Sequence, residues 1–186
     1  MLKKKVYLHI GMHKTGTTAL QVFCARRAEK LKEIGCLYPE SGRPRAHDVS
    51  YGHHLLPWSL TRHVSDPSYW STDLRNVDDV WKALRNEIES CDCQTVLLSS
   101  EEFDTLSSQQ VQSVLQHLDA FDVQPIIFLR RLDELAQAMY TTDVVYNAES
   151  EEFAKYIRRI RTPLDYDAIV TPWTPRKPII RYYGPQ

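Results

Sequence analysis

One run in this 186-residue chain carries the residues best suited to chemistry: Gly11, Met12, His13, Lys14, Thr15, Gly16, Thr17 and Thr18. The Lys14 ammonium is a point charge that can reach anionic oxygens. A glycine-bearing turn that opens a helix aims backbone N–H groups at the same kind of target. The spacing is not the GxxxxGK[ST] of nucleotide-triphosphate loops, because Lys14 precedes Gly16 instead of following a glycine. The plain alternative is a strand-to-helix turn that merely needs two glycines. Glu101 and Glu102 are carboxylates able to take a proton, or simply acids that open a loop before Phe103. Arg130 and Arg131 follow an apolar run, where they either meet an anion or pair with Asp133 and Glu134. His53 and His54 read as a base or acceptor contact, as structural histidines or, least of all, as metal ligands. Adjacent residues on a helix face different ways, and no HxxxH or acid cluster completes a zinc site.

The elements that must hold these groups alternate along the chain. Val6 to Ile10 is an apolar, β-favouring run that delivers Gly11. Residues 17–34 predict a helix with Leu20, Phe23, Cys24, Leu31 and Ile34 inward and Gly35 as its stop. Residues 36–39 predict a short strand, 40–50 a polar loop, 55–63 a short helix or irregular segment, and 65–72 another loop with Tyr69 and Trp70. The pattern over 74–90 predicts an amphipathic helix burying Val77, Val80, Trp81, Leu84 and Ile88. Residues 95–99 read as a buried strand. Ser107 with Gln110 reads as a capping box for a helix that buries Val111, Val114, Leu115 and Leu118. A strand over 125–129 leads to a helix over 132–145 with Leu132, Leu135, Ala136 and Met139 inward. A helix over 151–161, a break at Pro163, a turn or two within 164–173 and a strand over 179–182 complete the chain.

Strands alternating with helices imply a parallel sheet covered on both faces. Ligands of such sheets sit outside the carboxyl ends of the strands. The polar groups at three strand ends (11–18, 99–102 and 130–131) should therefore meet in one crevice.

The composition, 42% hydrophobic and 25% charged with a net charge of −1, suits one α/β domain and argues against a nucleic-acid partner. No apolar run is long enough to cross a membrane or to serve as a secretory leader. Cys24, Cys36, Cys91 and Cys93 form no disulfide framework, and Cys91 and Cys93 have one spacer where a zinc knuckle wants two or more. A reducing, cytoplasmic setting is expected.

With HIGMHKTGTT, LYPESG, HHLL, LLSSEEF, FLRRLDELAQAMY and the late LDYDAIVTPW and IIRYY segments, the chain resembles the P-loop sulfotransferases, specifically bacterial members of the HKTGTT type. These enzymes use 3′-phosphoadenosine 5′-phosphosulfate (PAPS). The resemblance implies a three-layer α/β P-loop-type fold with a central, mainly parallel sheet flanked by helices. It implies one domain over 1–186, lacking the family's C-terminal part, because the basic-glycine loop over the 3′-phosphate would lie beyond Gln186. His13, Lys14, Thr15, Gly16, Thr17 and Thr18 would hold the 5′-phosphosulfate, and Arg130 the 3′-phosphate. The serine that assists that arginine is Ala138 here, with Thr141 or Thr142 as substitutes, and Ala19 stands where relatives often stack a tryptophan on adenine.

Sulfuryl transfer would be in line, like phosphoryl transfer, with Lys14 taking up leaving-group charge. The base would be Glu101 first, then Glu102, His53 or His54. No metal is expected, and the acceptor would be a hydroxyl or amine of a small molecule or carbohydrate. The rival readings are a P-loop small-molecule kinase needing ATP and Mg²⁺, and a non-catalytic nucleotide- or sulfate-binding relative.

Overall fold

Five apolar runs lie side by side as one sheet in the computed structural model, which describes residues 3–45, 50–61, 77–160 and 164–184. The strands are β1 (Lys5–Gly11), β2 (Cys36–Leu37), β3 (Thr95–Ser99), β4 (Asp122–Arg130) and β5 (Ile179–Tyr183). Their order is β2-β3-β1-β4-β5 and every pairing is parallel, so all five carboxyl ends share one edge. The helices are α1 (Thr17–Arg26), α2 (Ala28–Glu33), α3 (Leu55–Thr61), α4 (Val77–Ser90), α5 (Ser108–His117), α6 (Leu132–Tyr146), α7 (Phe153–Arg159) and α8 (Tyr166–Val170). Two short 3-10 helices cover Glu101–Thr105 and Thr171–Arg176. This is the α/β architecture that the alternation implied, a central parallel sheet flanked by helices.

A parallel sheet covered on both faces buries nearly continuous apolar strands. Val6, Leu8 and Ile10 of β1, Val96 and Leu98 of β3 and Ile127 of β4 are fully buried. The stripe of α4 closes on them as its spacing predicts, with Val80, Trp81, Leu84 and Ile88 wholly inside. Trp81 lies flat on His117 at 4.7 Å and donates its indole N–H to Ser59 at 3.1 Å. Ser107 and Gln110 close the expected capping box at the start of α5, and Val111, Val114 and Leu118 are buried behind it.

Three expectations need correction. The helix over 17–34 is two helices, broken at Arg27, whose N–H turns back to the Cys24 carbonyl at 3.2 Å. Its inner face is polar: Thr17, Gln21 and Cys24 are buried, whereas Phe23 is 53% and Ile34 78% exposed. The cause is that α1 packs against the polar strand ends, so of the five residues read as inward only Cys24 is buried. Gly35 does stop the segment, with φ +81° and its N–H on the Lys32 carbonyl at 2.9 Å. Leu132, read as inward, is largely exposed, and Leu135 and Ala136 carry the burial of α6. The strand read over 125–129 begins at Asp122, where Lys5 of the neighbouring β1 forms an ion pair with the Asp122 carboxylate at 2.8 Å. The loop over 65–72, residues 74–76 of the predicted helix, the Val77 side chain and the break at Pro163 lie outside the described residues.

The carboxyl end of β1 is shaped by a register shift against β4 between His9 and Gly11. Gly11 has φ +76°, and a Cβ there would stand 2.5 Å from the Glu101 Cα. Only a glycine lets the end of β3 approach the end of β1 this closely. Gly11→Ala should therefore cost about 1–3 kcal/mol of stability, from the left-handed strain and the clash together. A urea-unfolding midpoint equal to that of the parent would refute the close approach.

Candidate active site

The chain leaves β1 through a tight loop in which Gly11, Met12, Lys14 and Gly16 all have positive φ. Two of these are not glycine, so the loop stores strain that its surroundings must hold. Thr15 and Thr17 donate their hydroxyls to the Met12 carbonyl, at 2.6 and 3.4 Å. No side chain caps α1, whose first N–H groups follow the left-handed Gly16. Thr18 is exposed at that amino terminus, while Thr15 and Thr17 are buried.

The two neighbouring strands grip the loop from either side. From the β3 side, one oxygen of Asp104 accepts both the His13 backbone N–H at 3.1 Å and the ring Nδ1–H at 2.9 Å. From the β4 side, the Arg130 guanidinium donates to the Lys14 carbonyl at 3.0 Å, pairs with Glu134 at 3.3 Å and lies 5.6 Å over the Tyr183 ring. That ring also limits Gly16, where a Cβ would come within 3.0 Å of it.

The far nitrogen of His13 faces a Glu102 carboxylate oxygen at 3.9 Å. Burial opposes a charge on His13. The hydrogen bond and charge of Asp104, with Glu102 and Glu101 behind it, outweigh that and raise its pKa to about 9. At neutral pH the loop thus carries two adjacent cations, His13 and Lys14, with Arg130 beneath. Lys14 also contributes, after the Tyr156 and Asn147 hydrogen bonds and the Arg159 charge, to holding the Asp143 carboxyl below its usual range.

Glu101 lies two residues past the end of β3, after Ser100. Its carboxylate accepts from the buried Gln21 amide at 2.8 Å, and the same amide lies 3.4 Å from the Ser99 hydroxyl. Ser99 is in turn 2.8 Å from His9 Nδ1. Burial pushes the His9 pKa down to about 4 against the pull of Glu101, so His9 is neutral. Its Nε2 is buried without a hydrogen-bond partner.

The structure brings His13, Lys14, Thr18, Glu101, Glu102 and Arg130 to one end of the sheet. His54 is close by: its Nδ1 is 2.8 Å from the Ser100 hydroxyl, its ring stacks on Trp58, and burial, opposed by Glu101 and Glu102, lowers its pKa. His53 is placed differently. Its Nδ1 accepts the Ser99 N–H at 3.1 Å and its Nε2–H donates to the Pro39 carbonyl at 3.1 Å, so both nitrogens tie the segment after β2 to β3. Burial, then the Arg43 charge, lowers its pKa to about 3.

Ala138 offers no hydroxyl, and Thr141 and Thr142 donate theirs to their own helix, to the Gln137 and Ala138 carbonyls at 2.9 Å each. Among the described residues no cluster of three or more His, Cys, Asp or Glu is placed to hold a metal ion, and no helix is long and apolar enough to cross a membrane. Asp104 and Gln21 were not singled out from the sequence. The available signals were an acid three residues after Glu101 and a glutamine one turn after Thr17.

His13 binds its proton more tightly folded than at its ordinary value of 6.5. The stability it contributes is complete below about pH 6.5 and is lost as pH rises through about 9, partly screened because the ring is half exposed. The melting temperature should fall more steeply between about pH 7 and 10 for the parent than for Asp104→Asn. Parallel curves would refute the pairing.

The chain matches no protein-family model and no curated protein. Among solved structures it is similar to a sulfotransferase from Alicyclobacillus acidocaldarius, with a TM-score of 0.56 and 16% identity over 95% of this chain and 72% of that one. The sulfotransferase domain from the curacin biosynthetic pathway matches with a TM-score of 0.49 and 11% identity, over 98% of this chain and 68% of that domain. By the first of these likenesses, the fold of this chain is sulfotransferase-like.

Proposed function

We propose that this chain transfers a sulfuryl group from PAPS to a hydroxyl or amine of a small molecule or carbohydrate. The observation that carries this reading is the loop of residues 11–16, held between Asp104 and Arg130 with two cations on it and Glu101 against its base. Its donors suit the 5′-phosphosulfate end: the Lys14 ammonium, the His13 imidazolium and the N–H groups of the uncapped α1 start, where Thr18 is exposed. PAPS would supply the activated sulfuryl group. Lys14 and the loop N–H groups would stabilise the charge left on the phosphate. Glu101, oriented by Gln21, is the first choice for the acceptor's proton, with Glu102 second and His54 third. His53 would act by holding the segment after β2. The sulfotransferase-like fold supports the reaction class.

A second reading has a specific observation behind it. Arg130, the residue matched to 3′-phosphate binding, already serves the Lys14 carbonyl and Glu134, and Ala138 adds nothing. This favours a relative that binds nucleotide or sulfate without turnover. The kinase reading lacks a GK[ST] loop.

Calorimetry with 3′,5′-adenosine bisphosphate separates these readings. Metal-independent binding is expected, and a response to ATP–Mg²⁺ alone would overturn the proposal. Sulfation of some member of an acceptor panel distinguishes the enzyme from the binder. In an active preparation Lys14→Ala should lower kcat by about 10²–10³-fold with the fold intact. Gln21→Leu should lower it about 10–100-fold with bisphosphate affinity unchanged. Parent-like kcat in either variant would remove that residue from the mechanism.

A further inference from the structure

A cavity of about 700 Å³ lies between the loop after β1, the start of α5, α6 and α8. Its α5 end is polar, with Thr105, Ser107, Ser108 and Gln110, and its body is formed by Met12, Leu106, Leu135, Met139 and Ile169. Four of these five are buried, Met12 2%, Leu106 7%, Leu135 1% and Ile169 9% exposed, so the space reaches into the fold. Protein interiors pack with few voids larger than a water molecule, and this volume falls in the range of small-molecule sites. His13 and Asp104 border the same cavity, so the loop that carries the cations is one of its walls.

From this juxtaposition we infer that the cavity is the acceptor site and that it takes an apolar small molecule bearing one reactive hydroxyl, such as a phenol or a hydrophobic alcohol. The inference rests on the proposed sulfuryl transfer and narrows its acceptor. A carbohydrate would press several hydroxyls against Leu106, Leu135, Met139 and Ile169, which offer no side-chain partner, while the Thr105 hydroxyl and the Ser107–Gln110 capping box are already engaged within the chain, and unpaired buried hydroxyls are costly. An aromatic or alkyl body loses nothing there, and the two methionines adapt to its shape. With that body in the cavity, the single hydroxyl emerges at His13, whose Nε2 is 3.9 Å from Glu102. In the transfer the acceptor oxygen forms a bond to sulfur. The bond from sulfur to the bridging phosphate oxygen breaks, leaving its electron pair on the phosphate, and the hydroxyl proton passes to Glu101 or Glu102, the carboxylates proposed above to take it. His13 stays protonated throughout and faces the acceptor oxygen as a cation.

The test is a fluorescence titration of 2-naphthol into the full chain without nucleotide, beside calorimetry with 3′,5′-adenosine bisphosphate. Saturable naphthol binding is expected. It should weaken at least tenfold in Met139→Trp, which fills the cavity, and to a smaller degree in Met139→Phe, with bisphosphate affinity unchanged in both. Absence of saturable binding, equal binding by folded variants, or preferential binding of glucosamine overturns the inference. Bisphosphate binding in those cases leaves the transferase reading standing. Naphthol binding that responds to Met139 in a chain that ignores the bisphosphate upholds the ligand class and overturns the transferase reading alone.

Discussion

The structure depends on one clamp, in which Asp104 and Arg130 hold the loop after β1 from opposite sides. The loop needs it. Four of its six residues from Gly11 to Gly16 have positive φ, and for Met12 and Lys14 that conformation is intrinsically unfavourable. A carboxylate that binds the His13 N–H and ring together, and a guanidinium that binds the Lys14 carbonyl, fix the two adjacent residues at the middle of the turn. The grips are charged, so each is stronger than a neutral hydrogen bond of the same length. They also set the electrostatics: Asp104 keeps His13 protonated, and Glu134 partly neutralises Arg130 below the loop.

Such a clamp requires β1 to be an inner strand with parallel neighbours. The order β2-β3-β1-β4-β5 provides this, because the chain leaves β3 and β4 on either side of the loop and at the same edge. The consequence is a polar layer at the carboxyl ends, beneath which the core is apolar. His9, Thr15, Thr17, Gln21, His53, His54, Ser99 and Ser100 are all buried there. Their hydrogen bonds run among themselves and to Met12, Pro39, Glu101 and Glu102 beside them, as buried polar groups require. Among the described residues only His9 Nε2 and Arg43 Nε are buried side-chain atoms without a partner.

That layering explains what the sequence disclosed. Where elements pack through apolar faces, pattern and structure agree: the β3 and β4 runs, the α4 stripe with Trp81, and the Ser107–Gln110 box were all legible. The meeting of three strand ends followed from topology alone. Around the site the same rules failed, because the inner face of α1 is Thr17 and Gln21 beside Cys24, and of these three hydrophobic periodicity selects only Cys24. His53 and His54 look equivalent as a pair of neighbours. Only the fold separates them, by giving one histidine two backbone partners and the other a serine and a tryptophan. Asp104 was hidden for a related reason: its role depends on a 3-10 turn that swings it back 91 positions onto His13.

Arg130 shows how one residue can be matched by motif yet be occupied by structure. A guanidinium has five donors in a rigid fork, and here two of its nitrogens are committed, Nε to Glu134 and one terminal nitrogen to the Lys14 carbonyl. The remaining edge still has donors, but the Tyr183 ring lies across the face of the group. An anion that reaches Arg130 must therefore approach in the guanidinium plane, and the same Tyr183 ring would crowd any side chain at Gly16. The same contact that tightens the loop thus narrows access to the arginine. In the proposed reading, binding of the 5′ end by Lys14 and of a second phosphate by Arg130 would be coupled through a single backbone carbonyl, that of Lys14.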